Sequence, residues 1–230
     1  MMNPKSEKKL VALIIALTAI SFASSPTQAN DKLANKQVDL KRNVEPKVDS
    51  AISEVPTITV NAADKVKLTA GEVVLGTQKQ NSGRRWVTAK VHIKASPTVV
   101  WESVHEERKN DPDLAYSKVL EQGKNEATLE QKFQLIPVIG TSVCVMKNTE
   151  VPLKRIDYYL LKSDRFKALE GSWVLQATED GGTILELASY IDMGVPAPRS
   201  FIESIAGKKL ERRVGNVRKA AEAAQAKQVA

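Results

Sequence analysis

The chain has 230 residues, 42% of them hydrophobic and 27% charged, with one cysteine, two histidines and a formal net charge of +7. That length holds one domain of ordinary size plus extensions, and a charge of which +2 lies in residues 1–29 is too dilute for a nucleic-acid binder. One cysteine and two histidines exclude a zinc site of Cys/His spacing, and the chain has neither a Gly-rich phosphate loop before a helix nor a Gly-x-Ser-x-Gly elbow.

Residues 1–29 have the order of a secretory signal. Lys5, Lys8 and Lys9 precede an apolar run from Leu10 to Ile20, and Thr27-Gln28-Ala29 fits a small-x-small cleavage site. A membrane-spanning anchor needs about 20 apolar residues, and Ser21, Ser24, Ser25 and Pro26 cut this run short. There is no twin arginine, and because Cys144 is the only cysteine an N-terminal lipid-bearing cysteine is excluded. The expectation is a periplasmic or secreted protein. Residues 30–56 follow without an aromatic residue, and such a segment cannot bury enough apolar area to offset its ordering entropy. They read as a polar tether with at most a short helix around Val48 to Val55.

A folded domain is expected over 57–230. Glu72 to Thr77 and Arg85 to Ala95 flank the turn Asn81-Ser82-Gly83 as a hairpin. In the second strand Val87, Ala89, Val91, Ile93 and Ala95 share an apolar face. Trp86, Thr88, Lys90, His92 and Lys94 share the other, which makes His92 a solvated surface residue. Ser96-Pro97 starts a helix, a hydroxyl cap followed by proline at the first helical position. Val100, Trp101 and Val104 give that helix its apolar side, and His105 near its end is read as solvated among Glu106 and Glu107. Asp111-Pro112-Asp113 breaks the chain.

Four strands follow: Tyr116 to Glu121, Ala127 to Leu135, Ser142 to Val151 and Lys154 to Lys162. Gln131 is the one polar member of the alternating face of the second. The parity of Val143-Cys144-Val145-Met146 is ambiguous because all four are apolar. Gly171 to Ala177 and Thr183 to Met193 alternate around the turn Glu179-Asp180-Gly181-Gly182. After Gly194-Val195-Pro196-Ala197-Pro198 the apolar period changes from two to about 3.6. Ile202, Ala206, Leu210, Arg213/Val214, Val217 and Ala221 then mark one long helix, whose stripe needs a partner surface. The expected architecture is α+β: an antiparallel sheet of about six or seven strands curled round this helix, with a short helix pair after the first strand.

These motifs carry a family resemblance. Val91-His92-Ile93-Lys94-Ala95-Ser96-Pro97-Thr98-Val99-Val100-Trp101 resembles the opening of the START/polyketide-cyclase superfamily: an alternating strand, Ala-Ser-Pro, then a Val-Trp helix. Gly171-Ser172-Trp173-Val174-Leu175 with Gly182-Thr183-Ile184-Leu185 resembles its last two strands, and the helix from Arg199 its C-terminal helix. The resemblance spans roughly Gly71 to Gln225 and implies a helix-grip fold around an apolar cavity. It also implies binding of lipids, sterols, quinones, isoprenoids or polyketides. Glu106 to Pro112 departs from the aromatic-proline motif of many relatives, which leaves the size and entrance of the cavity open.

The inward faces then nominate a ligand site. From the sheet these are Phe133, Leu135, Trp173, Leu175 and Leu187, then Ser189, Ile191 and Met193; from the helix, Ile202 and Ala206. This lining is almost free of hydrogen-bonding groups and would select by shape and apolarity. Asp111, Asp113, Glu106 and Glu107 are read as wet, so no catalytic set, metal or cofactor is assigned. Non-enzymatic carriage of a hydrophobic small molecule by a monomer is the leading reading. A cyclase- or dehydratase-like enzyme and an interaction module with a filled core are the alternatives. The helix also carries Arg199, Lys208, Lys209, Arg212, Arg213, Arg218, Lys219 and Lys227 against three glutamates. A solvated outer face is the plain reading of these charges, and transient contact with an anionic membrane surface the sharper one.

Overall fold

The computed structural model describes residues 55, 59–134, 140–194 and 198–229. The expected signal (1–29), nearly all of the tether (30–56), the domain's expected start at Thr57 and Leu135 lie outside the described residues. Those described belong to one unit, Lys47–Ala230.

Eight strands form one fully antiparallel sheet in the order β1-β2-β8-β7-β6-β5-β4-β3. They are β1 (Val74–Lys79), β2 (Arg85–Ile93), β3 (Leu114–Gln122), β4 (Glu126–Gln134), β5 (Thr141–Val151), β6 (Arg155–Ser163), β7 (Ala168–Ala177) and β8 (Thr183–Asp192). All eight fall on runs that the sequence marks as strands, one more than the expected upper count. Where a helix pair was expected after the first strand, one helix, α2 (Pro97–Lys109), follows β2. It carries the chain from β2 to the far edge at β3, and the strands then return one by one until β8 lies beside β2. Ser96 caps it as expected, its hydroxyl accepting from Val99 N at 3.5 Å. An additional helix, α1 (Ala62–Thr69), precedes the sheet, with Asn61 Oδ1 accepting from Asp64 N at 2.9 Å. The two expected glycine turns are present, with Gly83 and Gly181 at φ of +81° and +80°, a region a side chain rarely enters.

The terminal helix α3 (Arg199–Val229) packs on β1, β2 and β8 and against α2. Its stripe is buried where the sequence placed it, at Ala206, Leu210, Val214, Val217 and Ala221. Opposite it lie Ala89, Val91, Ile93, Leu185 and Leu187, and together these make the dry core.

The second face of β2 is not solvated. Trp86, Thr88 and Lys90 are buried, and Lys90 Nζ sits 2.9 Å from Glu186 Oε2. Register explains how a lysine is tolerated there: Lys90 lies directly across from Glu186 in the β2–β8 ladder, so each charge is desolvated beside its opposite. His92 is likewise covered by the β7–β8 turn, its Nε2 lying 3.3 Å from Asp180 Oδ2 and 3.5 Å from Thr178 Oγ1.

Candidate functional site

A single helix cannot cover eight strands. The C-terminal half of α3 seals β2 and β8, while Phe133, Cys144, Met146, Phe166 and Leu169 form a second apolar cluster on the far half of the sheet. Between the two clusters, under the N-terminal half of α3, lies a cavity of about 690 Å³. That is within the range of about 300 to 1,000 Å³ usual for small-molecule sites.

Most of the expected lining is brought together. Phe133, Trp173, Ser189, Ile191 and Met193 border the cavity from the sheet, and Ile202 and Ala206 from α3. Leu175 and Leu187 do not. Both face inward as their alternation requires, but Leu187 is fully buried against the sealed half of the core, and Leu175 nearly so. Strand parity chose their face correctly; the position of α3 along the strands put them beyond the cavity. The ambiguous strand β5 turns Ser142, Cys144, Met146 and Asn148 inward. Burial pushes the Cys144 thiol pKa up.

One end of the cavity is strongly polar, contrary to the expected hydrogen-bond-poor lining. Arg213 Nε donates to both carboxylate oxygens of Glu107 at 3.0 Å, and its Nη2 reaches Oε2 at 2.8 Å. Its Nη1 lies 3.3 Å from Asp111 Oδ2. Burial opposes the charge on Arg213, but Glu107 and Asp111 outweigh it and raise its pKa, so the guanidinium stays ionised. Glu107 and Asp111 are therefore not wet carboxylates, and Arg213 is not on a solvated outer face. Asp113 is held below its usual range: burial pushes it up, and Lys209 at 3.1 Å and Arg212 at 2.9 Å more than compensate. Arg108 Nη1 is 3.4 Å from Glu150 Oε1, and His105 Nε2 is 3.6 Å from Glu150 Oε2. His105, half-buried and edge-on to Trp101, has its pKa lowered by burial and Arg108, against the pull of Glu150.

An uncharged polar pair sits on the sheet floor. The Tyr158 hydroxyl faces that of Ser189, and burial raises its pKa despite Ser189, Arg213 and Arg108. Gly171 makes room for this ring, since a Cβ there would collide with the Tyr158 hydroxyl and the Ala188 carbonyl. Gln131 Nε2 donates to Ser117 Oγ at 3.2 Å on the opposite wall. No metal-ligand cluster forms among the described residues.

These polar residues left a trace in the sequence. Ile202, Ala206, Lys209 and Arg213 recur at helical spacing, so Arg213 shares the cavity-facing side of α3. His105 and Arg108 follow Trp101 by one and two turns of α2, and Tyr158 alternates with buried Ile156.

No protein-family model and no curated protein matches the chain. Solved structures match it in fold. The STAR-related lipid transfer protein from Xanthomonas axonopodis aligns with a TM-score of 0.53 at 14% identity, over 65% of this chain and 93% of that one. Human STARD10 aligns with a TM-score of 0.54 at 10% identity, over 73% and 82%. The lipid transfer and protein localization domain of human StarD13 gives a TM-score of 0.51 at 14% identity, over 71% and 98%. An eight-stranded antiparallel sheet closed by one C-terminal helix gives this chain the helix-grip fold of the START superfamily.

Proposed function

We propose that the cavity binds a hydrophobic small molecule, lipid-, quinone-, isoprenoid- or polyketide-like, and that the chain carries it unaltered. The observation that carries this reading is about 690 Å³ of space, apolar where the sheet and Ile202, Ala206 and Leu210 of α3 face it and polar at one end, inside an otherwise packed fold. Removing roughly 300 Å² of ligand surface from water at about 25 cal/mol per Å² yields about 7 kcal/mol. Association costs several kcal/mol of that, leaving about 3 kcal/mol, which is millimolar-class binding; a micromolar carrier has to bury roughly 500 Å² of apolar ligand surface. Two of the similar structures are named for lipid transfer, which supports the reading. The test is mass spectrometry of an organic extract of protein purified from its native host, with uptake of the hydrocarbon probe diphenylhexatriene by the stripped protein. An apolar ligand in the extract and probe fluorescence are expected; neither appearing overturns the reading.

A second reading, a cyclase- or dehydratase-like enzyme, draws support from His105, Glu150, Tyr158 and Arg213 lining one cavity. Incubation with the extracted ligand separates the two: a carrier returns it unchanged, and an enzyme returns a product. A filled-core interaction module loses support, because the space is well above the roughly 300 Å³ at which drug-sized ligands begin to fit.

We also propose that residues 1–29 are removed on export and that the mature chain begins at Asn30. N-terminal sequencing from the native host should read Asn30, and an intact Met1 in a membrane fraction would overturn export. Docking of α3 on an anionic membrane has fewer free charges than the sequence suggested, because Lys209, Arg212 and Arg213 are committed to Asp113, Asp111 and Glu107. Lys208, Lys219 and Lys227 remain exposed for it.

A further inference from the structure

The charges at the polar end of the cavity, where α2 meets α3, are matched in number and position, while the other lining lysines, Lys109 and Lys124, are exposed. Arg213 is taken by Glu107 and Asp111, Arg108 by Glu150, and Lys209 and Arg212 by Asp113. These four cations face four carboxylates. An incoming carboxylate or phosphate would have to strip Glu107 from three contacts of 2.8 to 3.0 Å before reaching Arg213. An ammonium group would face the same difficulty at the carboxylates. A charged head buried at this end would give up its hydration without gaining an unspent counter-charge, and burying a charge on those terms is costly.

Uncharged polar groups are placed differently. Tyr158 and Ser189 stand on the apolar floor, with Trp173 and Ile191 also lining the cavity. The tyrosine is held by the notch at Gly171, and its hydroxyl stays a neutral donor and acceptor because burial raises its pKa. A hydroxyl or carbonyl can both give and take hydrogen bonds here without disturbing an ion pair.

We infer that the cavity selects amphipathic molecules with an uncharged hydroxyl or carbonyl end, and that Tyr158 and Ser189 seat that end. This rests on the reading of the cavity as a ligand site. The selection comes from balanced charge: the ion pairs reject charged heads, and the hydroxyl pair rewards neutral ones.

The test is displacement of diphenylhexatriene from the full chain by dodecan-1-ol, dodecanoate and dodecylamine, which share one alkyl length. Dodecan-1-ol should bind about tenfold more tightly than either charged analogue, the ordinary scale for one well-made polar contact in a buried site. Tyr158→Phe should weaken dodecan-1-ol about three- to tenfold, with the probe's own affinity measured in the same variant as the reference and circular dichroism and a thermal melt showing the variant to be folded. Should Tyr158→Phe fail to fold, Ser189→Ala carries the same expectation. Equal or tighter binding of dodecanoate or dodecylamine overturns the selection, and an unchanged alcohol affinity in the folded variant overturns the seat. If wild type takes up neither probe nor alcohol, the ligand-site reading fails and the inference with it.

Discussion

Arg213 lies against the face of Trp173, its guanidinium carbon 5.1 Å from the ring centroid, while Glu107 grips its other edge. A cation–π contact of this kind is worth about 1 to 2 kcal/mol when desolvated. The arrangement ties α3 to β7 and α2 at once and walls one end of the cavity.

Breaking that tie should be expensive. Glu107→Gln leaves the buried guanidinium with Asp111 as its one carboxylate partner, and the expected loss is about 1 to 3 kcal/mol in urea-denaturation stability. Replacing both partners together, Arg213→Met with Glu107→Leu, should cost less than the sum of the two single changes, because neither member of the pair faces a missing partner, while Asp111 keeps Arg212 at 3.7 Å. A double variant as unstable as the sum of the two singles would show that the pair is not coupled.

The cavity's boundary can be located with tryptophan. Met193→Trp, at a lining position, should leave the protein folded and reduce probe uptake severalfold. Leu187→Trp, in fully buried core, should instead overpack and destabilise by about 1 to 3 kcal/mol. Thermal melts and diphenylhexatriene titration of both variants check the contrast.

His105 should make stability depend on pH. Its folded pKa is lowered, chiefly by burial, so the unfolded chain takes up the proton first. The neutral histidine costs nothing above about pH 6.5, and stability is lost as pH falls through that value towards the lower folded pKa. Urea midpoints at pH 7.5 and pH 5.5 should therefore shift less in His105→Gln than in wild type. An equal shift in both would assign the dependence to other groups.

Cys144 should react slowly. It is fully buried between Ser142 and Ser163, and burial raises its pKa, so little thiolate is present near neutrality. A native thiol assay should show labelling far slower than in urea. Rapid native labelling would place its strand with the wrong face inward.

Much of this protein is legible without coordinates. Turn chemistry and apolar runs marked all eight strands, and alternation gave the inward face of β2, β4, β7 and β8. Ser96-Pro97 marked the start of α2, Gly83 and Gly181 marked two turns, and the spacing of Ile202, Ala206, Leu210, Val214, Val217 and Ala221 drew the stripe of α3. These are local properties: a period of 2 or 3.6, a cap or a turn dihedral is set by residues a few positions apart. What only tertiary structure decided was which inward residues meet another surface. Leu187 and Ile191 share a face of one strand, yet α3 covers the first and leaves the second beside open space. Lys90 looked solvated until register set it against Glu186. Arg213, Glu107, Asp111 and His105 read as a wet charged surface until α2 and α3 closed on each other. The cost of burying such charges depends on the distance to an opposite charge carried by another element, and periodicity along one chain does not contain that distance.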